Sequence, residues 1–126
     1  MPEFKQESLA NLSIVRNLTE RLGGGINRSF GQNFLINQKA LFRFIDLINV
    51  TEEDTVIEIG PGIGVVSYTL CQRAKKVVLV ELDRTKEEAL EKVLENYSNY
   101  EIVWADATEV DFTQFNLEGK QVKVIG

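Results

Sequence analysis

An α/β fold built on a parallel sheet is what this sequence predicts, and three observations predict it. Short apolar runs recur at 55–59, 77–81, 101–104 and 121–125. Segments of helical pattern, 64–73 and 85–96, stand between the first three of them. The first run passes directly into Gly60-Pro61-Gly62-Ile63-Gly64, with glycine at every second position. Strands alternating with helices imply parallel strands joined by right-handed crossovers, because a helical connection returns the chain to the same end of the sheet.

Taken in order, Leu9, Leu12, Val15, Leu18 and Leu22 recur at helical intervals, so about residues 7–22 read as an amphipathic helix. Gly23-Gly24-Gly25 ends it. Its apolar stripe needs a surface, most simply the body of the fold. Asn37 is placed to cap a second helix whose buried face is Leu41, Phe44, Ile45 and Ile48. Strand 55–59, helix 64–73 and strand 77–81 follow. In helix 85–96, Lys86, Glu87, Glu88, Glu91, Lys92 and Glu95 make a charged, solvated face, while Ala89, Leu90, Val93 and Leu94 turn to the sheet. Strand 101–104, a polar loop with one turn of helix, and strand 121–125 complete the chain, which has no internal repeat and no low-complexity segment.

Composition narrows the chemistry. With 126 residues, 44% hydrophobic and 26% charged, there is room for one ordinary globular domain. No apolar run is long enough to span a membrane, and Met1-Pro2-Glu3-Phe4-Lys5-Gln6-Glu7 has neither the basic nor the apolar region of a secretory signal. The expected location is therefore cytoplasmic. Histidine is absent and Cys71 is the sole cysteine, which rules out histidine acid–base catalysis, an internal disulfide and ordinary zinc sites. Cys71 reads as a packed thiol on the helix after the glycines. Residues 1–50 hold six basic against four acidic side chains, a balance of +2, which leaves −7 for the remainder of a total of −5. Taken alone, the acidic total weakens an RNA-binding reading, although a cofactor-binding region needs carboxylates; Arg21, Arg28 and Lys39 are a small basic excess able to meet phosphate, with a solvated helix face the competing explanation.

The glycine segment carries the sharpest chemistry. Glycines after a strand let the backbone turn tightly and approach a ligand, as nucleoside cofactor loops require. The dinucleotide fingerprint G-x-G-x-x-G is not matched, since the third glycine comes one residue early. Glu58, two residues before Gly60, would also repel a pyrophosphate. S-adenosylmethionine, with a sulfonium, an ammonium and one carboxylate, suits an acid at the strand end and amides at the start of the next helix. A dinucleotide site and a plain strand-to-helix turn remain the alternatives. Glu81 ends the second strand about twenty residues after the glycines, where an acceptor meets both ribose hydroxyls, and Asp106 follows the third strand, where a carboxylate can accept from an adenine amine. Asp83, two residues beyond Glu81, reads as a helix cap in preference to an adenosine contact.

Gly31-Gln32-Asn33-Phe34-Leu35, then Glu58-Ile59-Gly60-Pro61-Gly62-Ile63-Gly64, then Val80-Glu81-Leu82-Asp83 and Asp106-Ala107, in this order and at these intervals, resemble the ribosomal RNA adenine N6-dimethyltransferases, with the small-subunit type the best fit. The resemblance runs from Arg28 to Gly126. It implies a Rossmann-like class I methyltransferase fold with strand order 3-2-1-4, an N-terminal helical extension over residues 1–30, and a cofactor-binding half over residues 31–126. It also implies S-adenosylmethionine contacts from Asn33, Leu35, Gly60, Glu81 and Asp106, with Gln32, Glu58 and Gly62 beside them. Phe34 and Leu35 are equally suited to core packing.

In that family the strand read here at 121–125 leads into Asn-Leu-Pro-Tyr, whose acceptors orient the weakly nucleophilic adenine amine while its tyrosine stacks on the extruded base. The resemblance therefore implies that these 126 residues are the cofactor-binding half of a longer enzyme acting on small-subunit ribosomal RNA, that no catalytic residue lies among them, and that the half alone is inactive. A bare outer edge on the last strand is expected, and with it a tendency to self-associate. The macrolide-resistance type of large-subunit dimethyltransferase, a non-catalytic RNA-binding, transcription or ribosome-assembly factor on the same fold, and more distantly a dinucleotide oxidoreductase are the competing readings.

Overall fold

The computed structural model describes residues 38–114 and 121–126. The expected helix over 7–22, its glycine stop, the Asn37 cap and the positions of Gln32, Asn33 and Leu35 lie outside them.

Helix α1 (Gln38–Ile48) precedes β1 (Asp54–Ile59), α2 (Val65–Arg73) and β2 (Lys76–Glu81). A 3-10 turn, Arg84–Lys86, then runs into α3 (Glu87–Val93), which is followed by β3 (Tyr100–Trp104), 3-10 turns at Ala107–Glu109 and Phe112–Gln114, and β4 (Gln121–Ile125). The sheet order is β3-β2-β1-β4 and every pairing is parallel, which is the expected 3-2-1-4 arrangement.

Alternation along the strands divides the sheet into two faces. Val56, Val77 and Leu79 pack with Leu41 and Ile45 of α1, Val66 and Leu70 of α2, and Ala89 and Leu90 of α3. Phe44 and Ile48 are half-buried against the same cluster, so the α1 face read from the sequence is the one that packs. Ile57, Val78 and Val80 face the other way and pack with Val103, Ala107, Val110 and Phe112. Central strands buried on both faces account for the nearly continuous apolar runs.

The ends of the helices depart from expectation for local reasons. Helix α2 begins at Val65 because Gly64 is left-handed, with φ +93°. The segment expected as one helix over 85–96 opens as a 3-10 turn and ends at Val93. Asp83 starts it as a cap, accepting from Thr85 N (3.0 Å) and Thr85 Oγ1 (2.6 Å). At the other end the chain is drawn across to α2: Tyr97 accepts from Gln72 Nε2 (2.8 Å) and stacks edge-on against Tyr68, while Asn99 Nδ2 donates to the carbonyls of Cys71 and Ala74. Lys86 corrects the reading of a wholly solvated charged face, since it is buried. It lies in the 3-10 turn, out of step with the outward stripe of α3. Ala89, Leu90, Val93 and Leu94 are buried as expected, and Cys71 is a buried thiol pushed up to about 12 by desolvation.

Below the sheet's functional end, Lys123 on β4 donates to Asp54 Oδ2 (2.6 Å) and to the Asn49 carbonyl (2.8 Å), fixing β4 against the start of β1. At the opposite end Gly126 brings β4 close to β1: a Cβ there would stand 2.9 Å from the Ile59 carbonyl oxygen.

Gly60 and Gly64 serve different ends. A Cβ on Gly64 would stand 2.8 Å from Leu90 Cδ1 and 3.4 Å from Val93 Cγ1, whereas one on Gly60 would meet nothing within 4 Å. Gly64→Ala is expected to destabilise the chain by about 2–4 kcal/mol in urea unfolding, combining left-handed strain with overpacking. Gly60→Ala should cost only the strain, about 1–2 kcal/mol.

Candidate functional site

The site is assembled at the carboxyl ends of the parallel strands, where ligands bind in open α/β sheets. Backbone hydrogen bonds set the strand ends side by side. Gly60 N donates to the Val80 carbonyl (2.9 Å) and Ala105 N donates to the Glu81 carbonyl (3.0 Å). The register places Ile59 against Val80 and Glu81 against Trp104. Gly60, Glu81 and Asp106 are thus brought to three neighbouring strand ends.

Between β1 and α2 the loop turns through Gly60, Gly62 and Gly64, all at positive φ. Gly62 N donates to Glu81 Oε1 (3.0 Å), and Glu81 Oε2 accepts from Asp83 N (2.9 Å). One carboxylate at the end of β2 therefore fixes both the glycine loop and the turn that follows its own strand. A carboxylate has about four acceptor positions, so two remain after these bonds.

Asp106 stands after β3 and accepts from Thr108 N (2.9 Å) and Thr108 Oγ1 (2.7 Å), both at Oδ1. These bonds, the side-chain one foremost, hold its carboxyl below the usual carboxylate range. It is consequently an ionised acceptor at neutral pH, with Oδ2 turned to no described partner. Asp83 is likewise held low by its bonds from Thr85, as a cap.

Glu58 differs from the other acids. It lies fully inside the fold at 1% exposure, with Oε1 accepting from Ser67 Oγ (2.5 Å) and Oε2 without a partner among the described residues. Desolvation pushes the carboxyl up to about 7, opposed by the Ser67 bond and assisted by the negative charge of Glu81. Its placement beneath the loop, not at its rim, is the main departure from the picture of a strand-end acid facing a ligand.

Three residues were missed in the sequence. Leu82 is a large apolar side chain, 69% exposed, immediately beyond Glu81. The guanidinium of Arg84 lies 5.3 Å from the centre of the Trp104 ring and also pairs with Glu87 (3.0 Å). Ser67 braces Glu58. Of these, Leu82 had a legible signal, an apolar residue placed between two acids just past a strand end. No cluster of metal-ligating side chains occurs among the described residues.

A 3-2-1-4 parallel sheet with a glycine loop after β1 and acids at the ends of β2 and β3 is a Rossmann-like arrangement, and the solved structures that align with it identify it as the class I methyltransferase fold. The chain matches the model of the ribosomal RNA adenine dimethylase family over residues 24–126, and it belongs to that family. Among curated proteins it is 37% identical over 122 residues to the ribosomal RNA small subunit methyltransferase A of Alkaliphilus metalliredigens, an alignment covering 94% of this chain and 42% of that protein. The chain thus spans well under half the length of this relative. Among solved structures, a dimethyladenosine transferase from Plasmodium falciparum aligns with TM-score 0.57 and 31% identity, covering 63% of this chain and 30% of that one. The 23S rRNA methyltransferase ErmE aligns with TM-score 0.55 and 28% identity over 60% of this chain and 31% of its own.

The buried carboxyl of Glu58 has a measurable consequence. Its folded pKa lies above its ordinary value of 4.5, at about 7, so it stabilises the fold in its protonated form. That contribution is complete below the ordinary value and is lost as pH rises through the folded one. Glu58→Gln should therefore gain about 3 kcal/mol relative to the parent chain between pH 5 and pH 8, measured by urea unfolding at each pH.

Proposed function

We propose that this chain is the cofactor-binding half of an S-adenosylmethionine-dependent enzyme that dimethylates adenosine N6 in small-subunit ribosomal RNA. The observation that carries the reading is the alignment of Gly60, Glu81 and Asp106 at three adjacent strand ends, with Glu81 bonded to the loop amide of Gly62. The small-subunit assignment, in preference to the large-subunit one, is supported by the relatives that share 37% identity and carry that name. Residues 1–30 are taken as an N-terminal extension and 31–126 as the binding half. A cytoplasmic location belongs to the same proposal. Among the described residues no helix is long and apolar enough to cross a membrane.

The residues present fit the cofactor. Gly60 faces open space where a Cβ would project, so a ligand can lie against the loop backbone. In this reading Glu81 uses its remaining lone pairs on the ribose hydroxyls, Asp106 accepts from the adenine amine, and Leu82 covers the adenine face. Amides entering α2 receive the methionyl carboxylate, while Glu58 lends negative potential beneath the loop. Gln32, Asn33 and Leu35 are assigned to the cofactor through the family resemblance. The cofactor supplies an electrophilic methyl group, and the residues of this half hold and orient it. Base recognition and the chemistry at N6 are assigned to the segment that follows residue 126 in the family pattern.

Isothermal titration of the chain with S-adenosylmethionine tests the reading. Saturable binding is expected, weakened at least tenfold by Glu81→Ala and by Asp106→Ala, with no heat from NAD at the same concentrations. Binding of NAD, or of neither compound by a folded chain, would refute it.

The chain is also proposed to self-associate through the outer edge of β4, which pairs with β1 alone among the described strands and exposes Val122 and Val124. Sedimentation equilibrium should give an average mass that rises above 14.3 kDa with concentration. A constant monomer mass would exclude this.

A further inference from the structure

Two carboxyl groups lie under the glycine loop, and neither is bonded to a cation among the described residues. Glu81 receives two backbone amides, Gly62 N and Asp83 N. Glu58 receives one hydroxyl, Ser67 Oγ, on the first turn of α2, and its second oxygen has no partner among the described residues. Hydrogen bonds from amides favour the ionised form of a carboxylate, and two like charges sharing a low-dielectric site disfavour double ionisation. The proton of the pair therefore resides on the acid with fewer donors and more burial, which is Glu58.

The described residues around the pair offer no other compensation. From α2, the titratable group facing Glu58 is Cys71, whose thiol is itself raised by burial and by Glu58. From β2 it is Glu81. On β4 the register partner of Glu58 is Ile125, and the nearby Lys123 gives its ammonium to Asp54 and the Asn49 carbonyl. Helices α1 and α3 bring Leu41, Ile45, Leu90 and Val93 to this face. No cation among the described residues balances the acid pair, and a positively charged ligand seated on the loop would do so.

Resting on the cofactor reading above, we infer that Glu58 is a proton-exchanging residue of the cofactor site, neutral in the cofactor-free chain and ionised once positive charge is seated on the glycine loop. Cofactor binding then releases a proton to solvent. Glu58 acts through the potential beneath the loop and the first turn of α2, so it is a positioning residue. S-adenosylmethionine carries a sulfonium that S-adenosylhomocysteine lacks, so the methyl donor drives the release further than the demethylated product does. Affinity for the donor falls as pH falls, because the free chain is then held in its protonated form.

Titration calorimetry of the chain in two buffers of different ionisation enthalpy at pH 6.5 reads the effect. About 0.7 proton should leave per S-adenosylmethionine bound, and fewer per S-adenosylhomocysteine, with donor affinity falling about fifteenfold from pH 7.0 to pH 5.5. Glu58→Gln should still bind while losing both the release and the pH dependence. Carbon NMR of the Glu58 carboxyl in the cofactor-free parent chain supplies a readout that needs neither variant nor ligand, with a midpoint expected near neutrality. Binding without proton release, or a midpoint near the ordinary 4.5, would overturn the inference while leaving the cofactor reading intact. Absence of binding by the folded chain would overturn both.

Discussion

The carboxylate of Glu81 is the constraint on which the site depends. A loop of three glycines at positive φ has many conformations open to it, and glycine loses more backbone entropy on ordering than any other residue. Here a buried, charge-assisted bond from Gly62 to Glu81 selects one of them, and the second oxygen of the same group sets the turn at Asp83. The bond spans two strands that the β1–β2 register has already placed side by side. Sheet, loop and acceptor are therefore specified together: shifting β2 by one residue would turn Glu81 to the other face and release the loop.

Charge then distinguishes what such a loop receives. Amides at the entry to α2 favour an anionic group, while Glu81, with Glu58 beneath the loop able to ionise when positive charge is seated there, disfavours a pyrophosphate. A ligand with one carboxylate and a compensating positive centre satisfies both. Under the proposed function, a net charge of −5 is compatible with an RNA substrate, because the acids of this site are assigned to the cofactor and RNA contact to other surface.

Much of this was legible from residue order. Strand positions followed from apolar runs buried on both faces, and the sheet order followed from the family resemblance that the glycine loop and the acids established. Helix ends were less legible because they are decided by contacts distant in sequence. The chain leaves α3 because Tyr97 and Asn99 bond to α2, 25 to 28 residues away. Burial of Glu58 was hidden for a related reason. Its position on the same face as Val56 marks it as inward, but a carboxylate at a strand end reads as a ligand contact until α2 is seen to cover it. Lys86 was misread because a 3-10 turn rotates it out of the helical register. The roles proposed for Gln32, Asn33 and Leu35, outside the described residues, come from the motif itself.

The central claim is that a cofactor lies against the glycine loop and is held at the ends of β2 and β3. Two-dimensional amide NMR of the chain during titration with S-adenosylmethionine tests it most directly. The account predicts that the largest shifts fall on Gly60, Gly62, Glu81, Leu82 and Asp106, with the α1 amides little changed. Saturable shifts confined to α1 or the outer edge of β4, with the Gly62 amide unmoved, would contradict it.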